Sequence, residues 1–202
     1  MKKSSLYIVL LVLLTTANAC AQKTTDKNNY TAQVQAEEGD LNNDTYNDKV
    51  VVEMDVKDET RPLRVQIFLS QPNKKLQLAV SSTKIIESQY PAHKKGNHNG
   101  NNIPDFIIED GNLKILTDIN DRKSIYEFRL KQNNFELIKI SHVSWDGKNT
   151  TSESEIDLLA QTQVDFQRDL GSAKISNKKT KKIKVNALPK IQDLSFADLE
   201  RY

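Results

Sequence analysis

The chain has one cysteine, Cys20, among 202 residues, so neither an internal disulfide nor a cysteine-based zinc cluster can form. It has only six glycines, and none stands in the spacing of a phosphate-cradling loop. No G-x-S-x-G nucleophile elbow is present. The three histidines, His93, His98 and His142, have no accepted zinc spacing. Beyond Leu14 no apolar run approaches the roughly 20 residues needed to cross a bilayer. Net charge is also lacking. Over the whole chain 29 Lys+Arg face 27 Asp+Glu, and removing Lys2 and Lys3 with a leader leaves 27 against 27. A balance of this kind gives no case for nucleic acid as a partner.

What is present begins with a leader. Lys2 and Lys3 precede the apolar run Leu6–Leu14, which gives way to Thr15-Thr16-Ala17-Asn18-Ala19 and then Cys20. A basic start, a short apolar core and small residues before a cleavage point make a secretory signal peptide over residues 1–19. Ala17-Asn18-Ala19 suits ordinary signal peptidase. The same residues followed by Cys20 resemble a relaxed bacterial lipobox, with Ala17 in place of the usual large aliphatic residue. A lone thiol in an oxidising compartment is a liability unless modified, so lipidation at Cys20 is the preferred reading. It implies a bacterial cell-envelope protein, in the periplasm or at the outer membrane, held to the membrane by an N-terminal lipid.

Residues 20–37 are polar and lack an apolar period, which predicts a flexible tether. A β domain is expected over 38–170, and a basic segment over 171–202 that packs on or extends it. Val50, Val52, Met54 and Val56 alternate with Val51, Glu53 and Asp55, and Val65, Ile67 and Leu69 alternate with polar neighbours and Phe68. Leu76, Leu78 and Val80 form a third such run, and Tyr126, Phe128 and Leu130 a fourth. Period two predicts strands buried on one face. The breaks carry turn residues: Gln71-Pro72-Asn73-Lys74, Asp110-Gly111 and Lys131-Gln132-Asn133-Asn134. An Asp-Gly pair is a strong hairpin signal because it accepts positive φ at low cost. The expected fold is mainly β, an antiparallel meander, sandwich or partial propeller-like sheet. At most a short helix follows at the C-terminus, where Ser195 and Asp198 have capping-box spacing.

The segment Asp40-Leu41-Asn42-Asn43-Asp44-Thr45-Tyr46-Asn47-Asp48 carries the most chemistry. Oxygen-bearing side chains fall at positions one, three, five and nine (Asp40, Asn42, Asp44, Asp48), and a backbone carbonyl at position seven, Tyr46, completes a calcium-type set. Three carboxylates in one bend repel each other, and a divalent cation removes that penalty. Position twelve is Val51 rather than a bidentate glutamate, so this is not an EF-hand. Thr45 occupies position six, where glycine is usual because φ is positive. Calcium is the expected cofactor, bound weakly at about 10⁻⁴ to 10⁻³ M. The competing possibility is a metal-free loop whose Asp and Asn side chains cap their own backbone.

This spacing before an apolar strand resembles the calcium loops of FG-GAP and VCBS repeats, the integrin-type repeats of β-propellers. More widely, the mature chain is similar to a group of bacterial lipoproteins and secreted proteins without an assigned activity. The likeness rests on the Asp-rich loop, Arg61-Pro62-Leu63, the hairpin from Phe106 to Leu116, and Leu188-Pro189. It includes no catalytic motif, and it implies a common β fold with no activity to transfer. A second copy of the spacing, Asn97, Asn99, Asn101 and Asp105, has a single charge and reads as a polar surface loop.

Other features are weaker. Lys174, Lys178, Lys179, Lys181, Lys182, Lys184 and Lys190 could meet anionic head groups. However, Lys182-Ile183-Lys184-Val185 alternates like an edge strand, where lysines block stray pairing. The acid pairs Glu37-Glu38 and Glu153-Glu155 would serve a glycosidase only from opposite sides of a sugar. His142 continues a strand pattern and reads as structural. Trp145-Asp146-Gly147-Lys148-Asn149 looks like a hairpin loop. An exposed tryptophan there could stack on a sugar or a partner, although burial is the commoner fate of a sole tryptophan. These features together predict a non-enzymatic, envelope-anchored domain with a calcium loop, in a structural or interaction role with a protein or glycan partner. The alternative is a periplasmic inhibitor or immunity-type protein that docks on an enzyme.

Overall fold

The structure, a computed structural model, describes residues 29–202. The leader over 1–19, Cys20 and the first part of the expected tether lie outside the described residues. Four strands follow one another as an antiparallel meander: β1 (Ala32–Gly39), β2 (Asp48–Met54), β3 (Leu63–Ser70) and β4 (Leu76–Ser82). Seven more form a second antiparallel meander in chain order. They are β5 (Asp105–Glu109), β6 (Asn112–Ile119), β7 (Arg122–Lys131), β8 (Asn134–Trp145), β9 (Thr150–Asp157), β10 (Thr162–Asp169) and β11 (Ile175–Lys182). A five-residue helix, α1 (Phe196–Glu200), comes last. The protein is therefore mainly β, in two sheets that do not close into a barrel.

Tight turns set this connectivity. Asp110-Gly111, Asn120-Asp121 and Gln132-Asn133 each place two consecutive residues at positive φ, and each joins strands in two-residue register. Turns of this hand match the twist of the strands they join. Only the first has a glycine, so the other two are recognised less easily from sequence.

One core serves both sheets. Val50, Val52, Leu63, Val65 and Ile67 from the first sheet join Phe106, Leu113, Ile115, Tyr126, Phe128 and Ile140 from the second. The sheets also meet along β1 and β5. The Gln35 side-chain amide donates from Nε2 to the Phe106 carbonyl at 3.2 Å and accepts from the Phe106 N–H at 3.3 Å. It thus stands in for a strand partner. Gly39 lies so close to β5 that a Cβ there would be 2.7 Å from Ile108 Cγ2.

Four sequence expectations change. Residues 32–37 belong to β1 rather than to a tether. Their polar sequence hides the strand because backbone pairing to β2 and the Gln35 bridge, rather than an apolar face, hold it. Val56 falls beyond β2 and is exposed. Leu76 and Leu78 are each 48% exposed. A bulge skips Ala79, so that Ile67 pairs with Val80 while Phe68 pairs with Leu78, and one extra residue turns the preceding apolar positions to the other face. The lysine-rich edge strand is β11, Ile175–Lys182, wholly exposed. Ile183 and Val185 instead leave the sheet and pack against the core.

The tail beyond β11 also reaches the core. Ile191, Leu194 and Leu199 are buried in it. The Ser195–Asp198 capping box forms as the spacing implies, with the Ser195 side chain accepting from the Asp198 N–H and the Asp198 carboxylate accepting from the Ser195 N–H.

Candidate metal centre

The loop from Asp40 to Asp48 connects β1 to β2, and one apolar residue anchors it. Leu41 is buried in the shared core, which fixes where the polar residues around it can lie. Its N–H donates to Asp48 Oδ2 at 2.8 Å. The other Asp48 oxygen accepts the Ser70 N–H from the end of β3, also at 2.8 Å. Asp48 is 0% exposed, so a single carboxylate closes the loop on itself and ties it to β3.

Asp40, Asn42 and Asp44 organise the rest of the turn. Asp40 Oδ1 accepts the N–H groups of Asn42 and Asp44, each at 3.2 Å, and Oδ2 accepts that of Thr45 at 2.8 Å. Asn42 Oδ1 accepts the Asp44 N–H at 3.0 Å, and Asn42 Nδ2 donates to Asp44 Oδ2 at 2.8 Å. Asp44 Oδ1 accepts the Tyr46 N–H at 2.9 Å. The self-capping foreseen for a metal-free loop is thus present. It does not by itself compete with a cation, since every carboxylate oxygen of the loop except Asp40 Oδ1, which already accepts two N–H groups, keeps a second lone pair.

The electrostatics of the loop are uneven. Burial works against ionisation of Asp40. The backbone N–H groups of Thr45, Asp44, Asn42 and Asn43 outweigh it, and its carboxyl is held below the ordinary range. At Asp48 burial is again the largest influence. There the Ser70 and Leu41 donors do not offset it, and the negative charges of Asp44 and Asp40 add to it, so the carboxyl is pushed up. The carboxylate at position nine therefore feels the charges at positions one and five. Among the described residues no cluster of three His, Cys, Asp or Glu side chains is gathered as a metal site. The calcium set expected here draws also on an asparagine oxygen and a backbone carbonyl.

Thr45 has φ +72°, the left-handed conformation that a glycine at position six would take freely. For a β-branched residue this strain is on the order of 1–3 kcal/mol. Thr45→Gly is accordingly expected to stabilise the calcium-free protein by about 1 kcal/mol after the entropy of the added glycine is subtracted. Urea midpoints in chelator measure the change. A destabilised variant would show that the threonine side chain holds the loop.

Sequence reasoning missed what the loop leans on. A Cβ at Gly111 would lie 2.9 Å from Asn43 Oδ1, so the loop rests against the Asp110–Gly111 hairpin of the other sheet. The signal for Leu41 was its being the one apolar residue in a polar stretch. Nothing in the sequence marked Ser70 or Gly111 as neighbours. No protein-family model, no curated protein and no solved structure matches this chain.

The other sequence candidates fall elsewhere. Asn99 is buried, and its side chain donates to the Ser88 carbonyl at 3.0 Å and accepts the Asn101 N–H at 2.8 Å. The asparagine-rich segment is thus pinned by its own amides rather than being a wholly surface loop. Glu153 is held by Arg168 at 2.8 Å and shares a face of β9 with Glu155, so the two acids stand side by side rather than across a cleft. Trp145 is 60% exposed, against the expectation of burial, because it ends β8 at the rim of the sheet. No helix among the described residues is long and apolar enough to cross a membrane.

His142 is buried, with Nδ1 2.8 Å from Ser124 Oγ and its ring edge-on to Tyr126. Burial first, and then the Arg122 guanidinium, hold its pKa below the ordinary histidine value. A histidine depressed in the folded state contributes stability that is complete above its unfolded pKa, near 6.5, and is lost as pH falls through the folded value. Melting temperature is therefore expected to fall between about pH 7 and pH 5, and His142→Gln to flatten that slope. Equal slopes in the two proteins would remove the assignment.

Proposed function

We propose that this chain is an exported, lipid-anchored envelope protein whose β domain acts by binding rather than by catalysis. Calcium at Asp40, Asn42, Asp44, Asp48 and the Tyr46 carbonyl would lock the loop between its two sheets. The single observation that supports the metal reading is Asp48: a wholly buried carboxylate pushed up by burial and by the charges of Asp44 and Asp40. A divalent cation would reverse each of those effects at once. Burial of Leu41 and the packing of Asn43 on Gly111 give the ion a structural purpose, since a stiffened loop stiffens the junction of the sheets. The leader and Cys20 support the envelope assignment, with the N-terminal lipid as the membrane contact.

Linkage gives the expected size of the effect. For a dissociation constant of about 10⁻³ to 10⁻⁴ M, roughly 10 mM calcium adds about 1.4 to 2.7 kcal/mol. In a domain of this size that raises the melting temperature by about 3 to 10 °C. Asp44→Ala should abolish the rise while leaving the chelator-treated protein near wild type. An unchanged melting temperature in calcium would remove the metal from this reading. Stoichiometric capture of one enzyme from envelope extracts would turn it toward the inhibitor alternative.

A further inference from the structure

Three turns converge at one end of the seven-stranded sheet, those joining β6 to β7, β8 to β9 and β10 to β11. They border an open cavity of about 630 Å³ lined by Asp118, Asp121, Lys123, Val143, Trp145 and Leu170, among others. That volume falls in the range of small-ligand sites. Strand register places the lining on one face, with Asp118 opposite Lys123 and Lys123 opposite Val143.

The tryptophan is held in place rather than loose. Its indole N–H donates to the Lys148 carbonyl at 3.0 Å, so the polar edge of the ring is already used and what it shows to solvent is carbon surface. The turn beneath is rigid. Asp146 Oδ1 accepts the N–H groups of Lys148 at 2.8 Å and Thr150 at 3.1 Å, and the Leu170 N–H donates to the Asn149 carbonyl at 2.8 Å, tying the third turn to the second. Among the described residues no hydrogen bond or ion pair engages the side chains of Asp118, Asp121 or Lys123. Two carboxylates that only accept and one ammonium that only donates thus stand beside a fixed aromatic plate and two aliphatic side chains.

We propose that this cavity is a glycan-binding site, with Trp145 as the stacking platform and an oligosaccharide of N-acetylated hexosamines as the ligand. A pyranose ring presents an apolar face of C–H groups to the indole and a rim of hydroxyls that donate to Asp118 and Asp121. Lys123 donates to an acetamide carbonyl, and Val143 and Leu170 accept the acetamide methyl. Fixing the platform before binding reduces the ordering cost of association. Glycans of this class form the wall of a bacterial envelope, so the ligand choice rests on the envelope reading above, whereas the cavity chemistry does not.

The experiment is simplified by composition, because Trp145 is the only tryptophan in the chain and its fluorescence reports this site alone. The protein is titrated with chitotetraose, and with cellotetraose as the unacetylated control. A saturable spectral change, tighter for the acetylated sugar, is expected. Calorimetry should find affinity reduced at least about tenfold in Trp145→Ala and weakened in Asp121→Asn. Leu78→Ala, on the other sheet, should bind as wild type. No saturable response at millimolar sugar, equal affinity for both sugars, or undiminished binding by Trp145→Ala would each overturn the proposal. Repeating the titration in chelator separates it from the calcium reading, because the sugar response is expected to survive there.

Discussion

Asp48→Ala is expected to destabilise the protein by about 3 kcal/mol even in the presence of a chelator. Each of the two Asp48 oxygens accepts a backbone N–H, from Leu41 and from Ser70. Truncation leaves the buried Leu41 donor and the half-buried Ser70 donor without a partner, and a buried unsatisfied donor costs about 1–3 kcal/mol. Removing a carboxylate that burial disfavours returns part of that loss, which is why the sum lies below the upper limit. Asp44 makes the contrasting case. It accepts only the Tyr46 N–H and the Asn42 amide within the loop, so Asp44→Ala is expected to remove the calcium response with little change in the metal-free protein. The two substitutions separate scaffold from ligand. Urea unfolding of both, with and without calcium, gives the comparison. An Asp48→Ala protein as stable as wild type in chelator would mean that this side chain serves only the metal.

The second large effect is expected at the C-terminus. Leu199→Ala should cost about 2–5 kcal/mol, the range for a fully buried leucine, although it lies in a helix of only five residues. Such a helix has no stability of its own, so its order comes from what it covers. The Leu199 side chain is in the shared core, and its carbonyl accepts the buried Tyr126 hydroxyl at 2.9 Å. The Phe196 N–H donates to the Lys84 carbonyl at 2.8 Å, beyond the end of β4, and Arg122 donates to the Glu200 carbonyl at 3.1 Å. The tail therefore bridges segments that follow the first sheet to strands of the second. Ending the chain at Lys190 would also remove Ile191 and Leu194 from the core, and loss of cooperative unfolding is the expected result. A truncated protein with a wild-type urea midpoint would show that this segment only decorates the surface.

Much of the architecture was legible along the chain. The alternations through Val50, Val65 and Tyr126 marked strands, and Asp110-Gly111 marked a hairpin, because side-chain period and turn dihedrals are local properties. The Asp40–Asp48 spacing was legible for the same reason. Leu76 and Leu78 show the limit. Their period is intact in the sequence, yet a bulge decided by pairing with β3 turns them outward. β1 shows the converse, a strand whose residues carry no apolar pattern because its order is supplied by β2 and by Gln35 on Phe106.

The sequence by itself determined a β-rich chain of sequential hairpins, with a polar nine-residue loop rich in carboxylates leading into its first apolar strand. These follow from backbone preferences and from charges a few residues apart. Tertiary structure alone decided that Asp48 is buried, that Asn43 meets Gly111, and that Trp145 stands exposed between Asp118, Asp121 and Leu170. Each depends on groups distant in sequence, and on which side of a strand reaches water only after both sheets have closed over one core.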